Sequence, residues 1–151
     1  MNYWLFKTEP DEYSIRDLQV APNQTAKWDG IRNYQARNFL RDQVAAGDLV
    51  FMYHSQCKHI GVVGVVEIVR AAYPDPAQYD ENSKYFDAKA TFDVPRWFCV
   101  DIKHQCTFPR VVSLQRIKAH PELANMVLIK QGRLSVQPVT AQEWQVIEGL
   151  V

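Results

Sequence analysis

Two β-rich runs constrain this chain more than any other feature: DLVFMYHS from Asp48 to Ser55, and HIGVVGVVEIVRAAY from His59 to Tyr73, on either side of a polar turn at Gln56 to Lys58. Val, Ile, Phe and Tyr suit a pleated, half-buried surface, so two such runs joined by a short polar turn predict a hairpin. The longest apolar stretch, Ile60 to Val69, carries Glu67 and two glycines. It falls far short of the roughly 20 residues that cross a bilayer, so no membrane span is read.

Other elements have to join that hairpin. YWLFK (Tyr3 to Lys7) predicts an opening strand ending near Thr8, because Pro10 cannot extend a ladder. Ser14 followed by Asp17 suggests a capped helical turn, and Val20 to Gly30 reads as loop. Ala36, Phe39, Leu40 and Val44 mark one face of a helix that Gly47 would close. In RWFCVDIKHQCTF, Phe98, Val100 and Ile102 alternate with Cys99, Asp101 and Lys103, the pattern of a half-buried strand. PDPAQYDENSKYFD before it is a polar excursion. SLQRIKAHPELANM predicts one or two short helices, RLSVQPV a strand closed by Pro138, and Thr140 with Glu143 a capping box opening a last helix. Many short strands with helices at their ends predict an α+β domain on a curved or closed mixed sheet. At 151 residues, one core can bury roughly 68–70% of the unfolded surface, so residues 1–151 are expected to form one domain.

Charge and cysteine content exclude some functions. Seventeen basic residues balance seventeen acidic ones, which argues against non-specific attraction of a long polyanion and makes any nucleic-acid contact local. Cys57, Cys99 and Cys106 are odd in number and form no CxxC, and MNYWLFKTEP has neither a basic n-region nor an apolar h-region. Those features predict a reduced, cytoplasmic protein with free thiols and no metal or other cofactor.

The densest polar chemistry lies in WDGIRNYQARNFLR, Trp28 to Arg41. Helical spacing places Arg32 and Asn33 within about 60° of the apolar stripe, whereas Tyr34, Arg37 and Arg41 project away. A buried donor without a partner costs roughly 1–3 kcal/mol, so something must receive them. One reading makes Asn33 or Asp29 a helix cap and pairs Arg32 with a local acid. The other makes the segment a ligand site, with Gly30 allowing a tight turn and Trp28 forming a wall.

Several blocks in order carry a resemblance: YWLFKTEP, WDGIRNYQARNFLR, GDLVFMYHS, AYPDP, PRW and RLSVQPV. Together they resemble the EVE domain family over nearly the whole chain. The resemblance implies a PUA-like fold, a curved mixed β-barrel with flanking helices, related in shape to the YTH readers of methylated adenine. It also implies a reader that holds a modified nucleobase in an aromatic pocket, often a modified cytosine in DNA, with RNA as the other polymer. Association with a nuclease or modification system accompanies some such domains.

Such a pocket needs stacking faces, base-edge hydrogen bonds and phosphate contacts. Trp28 and Trp97 are the expected walls, although Trp97 also suits simple packing. Asn33 carries both donor and acceptor for a base edge. Ser55 is expected to share a strand face with Phe51 and Tyr53, which puts its hydroxyl at the end of an aromatic row. Lys7 and Thr8 end the first strand and suit phosphate or the base edge, while Arg32, Arg133 and Ser135 complete the expected contacts.

Two rival functions use other residues. His54, Cys57 and His59 with His104 and Cys106 suggest a small zinc- or thiol-dependent enzyme, but their spacing matches no standard zinc site. A peptide-binding module would use a sheet edge or groove instead of an enclosed pocket.

Overall fold

Alternate side chains of the first strand part to opposite sides, and that parting organises the molecule. In the computed structural model, which describes residues 1–151, β1 (Tyr3–Thr8) sends Trp4 and Phe6 into one apolar cluster and Leu5 into another. β3 (Leu49–His54) does the same, with Val50 and Met52 on the first side and Phe51 and Tyr53 on the second. Period-two alternation has buried both faces of the sheet.

Six strands form one mixed sheet in the order β2-β5-β4-β3-β1-β6. The remaining strands are β2 (Thr25–Trp28), β4 (Gly61–Pro74), β5 (Phe98–Ser113) and β6 (Val136–Val139). β3 and β4 make the expected antiparallel hairpin. β1 runs parallel to β3 and antiparallel to β6. The sheet is mixed, as expected, but it does not close into a barrel: β2 pairs only with β5, β6 only with β1, and both remain edges. Register shifts at four places between β4 and β5 bend the long central strands, because each bulge adds local twist.

Helices cover both faces. α1 (Ile15–Gln19) and α2 (Tyr34–Asp42) bury Ile15, Leu18, Ala36 and Leu40 on the side of Trp4 and Phe6. α3 (Leu114–Ala119), α4 (Val127–Lys130) and α5 (Ala141–Gly149) bury Ile117, Leu128, Trp144 and Ile147 on the other. Ser14 with Asp17 and Thr140 with Glu143 form the two expected capping boxes.

Three local expectations change. Residues 25–28, read as loop, are strand β2, whose pairing is supplied by β5. α2 ends at Asp42 with Gln43 as its cap, so Gly47, at φ +92°, instead turns the chain into β3 and donates its N–H to the Ile68 carbonyl (2.8 Å). Pro138 lies inside β6 and does not end it, a position open to proline because β6 is an edge strand.

Candidate nucleic-acid interface

Strand order explains how distant sequence blocks meet. β3, β1 and β6 are neighbours, and the C-terminal ends of β1 and β3 lie beside the start of β6. There the Lys7 N–H donates to the Ser135 carbonyl and the Ser55 N–H to the Thr8 carbonyl, both at 2.9 Å. Lys7, Thr8, Ser55 and Ser135 therefore converge on one rim. The rim opens into a cavity of about 700 Å³, within the roughly 300–1,000 Å³ range of small-molecule sites.

The opposite wall is the loop after β2. Trp28, Asp29, Gly30 and Arg32 line it, with Tyr13 and Tyr85 adding aromatic rings. Gly30 sits at φ +79°, and a Cβ there would lie 2.8 Å from the Tyr85 ring, so both the turn and the close approach require glycine.

Asp75, fully buried, holds this loop in place. Its Oδ2 accepts from the Gly30 N–H (2.9 Å) and from Arg32 Nη1 (3.0 Å), and its Oδ1 accepts from the Ala77 N–H (2.8 Å). Arg32 also donates to the Tyr85 carbonyl from Nε (3.1 Å) and Nη2 (2.8 Å), and to the Ile31 carbonyl from Nη1 (2.9 Å). Its guanidinium carbon lies 5.3 Å from the Tyr85 ring centre and 5.4 Å from that of Trp97. Arg32 is thus a positioning residue: four of its five N–H groups are held by protein acceptors, and the two on the Tyr85 carbonyl fix Tyr85 against the cavity. Glu12, itself on the cavity wall, secures Tyr85 by pairing with Lys84 and accepting from the Tyr85 hydroxyl at 3.2 Å. The hydrogen bond from Lys84 is the main reason the Glu12 carboxyl lies below the usual range.

Lys7 and Asp29, which line the same cavity, also have shifted proton affinities. Burial lowers Lys7, whose ammonium lies beside the Gly132 carbonyl and 5.3 Å from the Tyr53 ring centre. Asp29 is exposed to the cavity, yet the protein mass around the concavity raises its carboxyl. The negative charge of Asp75 raises it further, while Lys27, its own backbone and Arg32 partly oppose the rise. Its carboxylate has no side-chain hydrogen-bond donor or ion-pair partner, so it presents free acceptors to a ligand.

Of the residues singled out from sequence, Lys7, Thr8, Trp28, Arg32, Ser55, Arg133 and Ser135 line this cavity. Asn33, Tyr53 and Trp97 do not. Asn33 is exposed instead of leaning inward: its Oδ1 caps α2 by accepting from the Ala36 N–H (2.9 Å), and it borders a shallower groove with Gln35 and Gln131. Tyr53 is buried on the opposite sheet face. Trp97 packs on Tyr34 at 5.0 Å and donates its indole N–H to Asp87 Oδ2 (2.7 Å), one layer behind Arg32. Ser55 lies just past the end of β3, so the aromatic row of Phe51 and Tyr53 does not lead to it. Sequence reasoning missed Asp29 as a cavity acceptor, Asp75 as the anchor and Tyr85 as a wall.

The residues of the zinc and thiol readings are dispersed. No group of three His, Cys, Asp or Glu side chains lies close enough to hold a metal ion. His54 Nε2 accepts from the Ile15 N–H (3.1 Å), and His104 Nε2 lies 2.7 Å from Thr107 Oγ1. The three thiols are free, and burial pushes that of Cys99 up to about 12.

A mixed sheet with helices on both faces and a polar, aromatic-walled cavity at its strand ends defines a small α+β module. The chain belongs to the EVE domain family, whose profile matches residues 2–150. It is similar to human thymocyte nuclear protein 1, at 39% identity over 166 residues covering 99% of this chain and 73% of that protein. A crystal structure of a Pseudomonas putida protein superposes with a TM-score of 0.92 at 51% identity, covering 98% of each chain. The crystal structure of human THYN1 protein in complex with 5-methylcytosine-containing DNA superposes with a TM-score of 0.94 at 38% identity, covering 99% of this chain and 98% of that one.

Proposed function

We propose that the cavity receives a modified nucleobase displaced from its strand, with 5-methylcytosine in DNA as the foremost candidate, and that the protein is a reader and not an enzyme. The observation that carries this reading is the unpaired Asp29 carboxylate in an aromatic-walled cavity. The likeness of the whole chain to a protein crystallised with 5-methylcytosine DNA supports it.

Inspection of a base on all its edges requires it to leave the stack, which costs a few kcal/mol. Tyr85, Trp28 and Tyr13 supply ring surface to offset that cost, at about 1–3 kcal/mol per stacked base. Asp29 accepts from the cytosine N4 amine, the pairing by which carboxylates read cytosine. The hydroxyls of Thr8, Ser55 and Ser135 face the remaining edge, and Lys7 and Arg133 meet the phosphate. One methyl group filling a dry gap contributes about 0.8 kcal/mol, a several-fold preference.

Binding of fluorescent single-stranded and duplex oligonucleotides carrying cytosine, 5-methylcytosine or methylated adenine, in DNA and in RNA, tests the reading. The wild type should prefer 5-methylcytosine several-fold, and Tyr85→Ala should lose about 1–3 kcal/mol of affinity while still folding. Equal binding of all oligonucleotides by the wild type would refute it.

Asp29 adds a pH dependence. Its carboxylate, the form that accepts from N4, is lost as pH falls through a value above that of an ordinary aspartate. Cytosine affinity should therefore begin to decline at a higher pH than an unperturbed carboxylate would give, and Asp29→Asn should abolish that decline. Stability carries the opposite sign: a raised carboxyl favours the folded state below its ordinary value, and that contribution disappears as pH rises through the raised one. At neutral pH, Asp29→Asn should melt no lower than the wild type while binding cytosine more weakly. Titration of affinity against pH for both proteins checks this.

A further inference from the structure

The cavity occupies only part of its sheet end. Following the same end past β3, the turn from Ser55 leads to the start of β4 at Gly61, which pairs with Ser113 at the end of β5. The Leu114 N–H donates to the Ile60 carbonyl (3.0 Å) and ties the turn to the segment after β5. Between them lies a second hollow of about 790 Å³, walled by Lys58, Arg110 and Lys118 together with His59, Ile60 and Leu114. All three cations are exposed, none has an ion-pair partner, and no carboxylate lines the hollow. In a chain with equal numbers of acidic and basic residues, three unpaired cations in one carboxylate-free groove are a local excess of positive charge.

The two hollows share the turn. Ser55 and Gln56 line the cavity, and Lys58 lines the groove two residues on, which at full extension separates Gln56 and Lys58 by about 7 Å. Thr8 and Ser113 stand at the ends of β1 and β5, three strand spacings or about 14–15 Å apart. A nucleic-acid strand whose base enters the cavity therefore has room for a few nucleotides before it leaves this edge.

We propose that the groove of Lys58, Arg110 and Lys118 binds the sugar–phosphate backbone on one side of the read nucleotide, supplying sequence-independent affinity while the cavity supplies base selectivity. This rests on the base-reading assignment of the cavity. Phosphate contacts position a strand without reading it, and each neutralised phosphate makes the logarithm of affinity depend on salt by about 0.7–0.9.

The test compares the wild type with Lys58→Ala/Arg110→Ala/Lys118→Ala, measuring oligonucleotide affinity from low to moderate salt, with cytosine and with 5-methylcytosine. Binding of the free 5-methyldeoxycytidine nucleoside and melting temperature are measured alongside. All three side chains are exposed, and the single variants serve if the triple one melts early. The salt slope should become shallower by about 2–3, with weaker oligonucleotide binding, an unchanged ratio between 5-methylcytosine and cytosine, and unchanged nucleoside binding. An unchanged slope in a folded variant overturns the groove assignment, as does loss of nucleoside binding. Failure of the base-reading assignment looks different: the wild type then shows no preference for 5-methylcytosine at any salt concentration.

Discussion

Asp75→Ala should destabilise the protein by about 3 kcal/mol or more, because breaking a buried charge pair from one side leaves the other charge without compensation. The carboxylate is fully buried, and its loss also removes the acceptors of the Gly30 and Ala77 N–H groups, each roughly a 1–3 kcal/mol deficit if left unpaired. Arg32 retains 20% side-chain exposure and can recover some hydration, which holds the expected cost near the lower end of the 3–5 kcal/mol typical of broken buried pairs. For a domain whose total stability is of order 5–15 kcal/mol, that is a large fraction. Urea unfolding of both proteins measures it, and a midpoint shift worth under 1 kcal/mol would contradict the anchoring role. Any fraction that remains folded should also bind oligonucleotides poorly, since Arg32 would no longer hold Tyr85 at the cavity.

Trp28→Ala should cost a comparable amount, about 3–5 kcal/mol. Trp28 is only 6% exposed and packs on Phe6 with ring centres 5.6 Å apart, so it is a member of the core as well as a wall of the cavity. Loss of binding in this variant therefore cannot be assigned to stacking alone. Trp28→Phe preserves most of the packing while shrinking the face turned toward the cavity. It should melt much closer to the wild type and bind about as tightly if Tyr85 dominates the stacking. Thermal melts with parallel binding curves separate the two contributions. A Trp28→Ala protein as stable as the wild type would place the indole outside the core.

The contrast between Trp28 and Asp75 shows which parts of the site could be read in advance. The strands, the hairpin and both capping boxes follow from local patterns: alternation at Phe98 to Lys103, a polar turn between apolar runs, and Ser14 or Thr140 three residues before an acid. Residues 25–28 also alternate, with Ala26 and Trp28 turned inward, but four residues beside a loop are too short a signal without β5 to pair with. Lys7, Thr8, Ser55 and Ser135 were recognisable as strand-end polar residues in blocks that resemble a family, and the order β3-β1-β6 brings them together. Asp75 lies in the polar excursion PDPAQYDENSKYFD, and nothing local marks it as an anchor because its partner Arg32 lies 43 residues away in the chain. Tyr85 was hidden in a polar excursion, and its position becomes evident only once Gly30 and Arg32 are seen against it. The swap of Trp97 for Tyr85 has the same origin: both rings flank Arg32, and only the fold decides which one faces the cavity.

The most direct test of the base-reading cavity is a crystal structure of the protein with an oligonucleotide carrying a single 5-methylcytosine. The account predicts the methylated base unstacked from its strand and seated between the Tyr85 wall and the rim of Thr8, Ser55 and Ser135, with its N4 amine within hydrogen-bond distance of Asp29. A complex in which that base stays stacked within its strand, or seats elsewhere while this cavity stands empty, would contradict it.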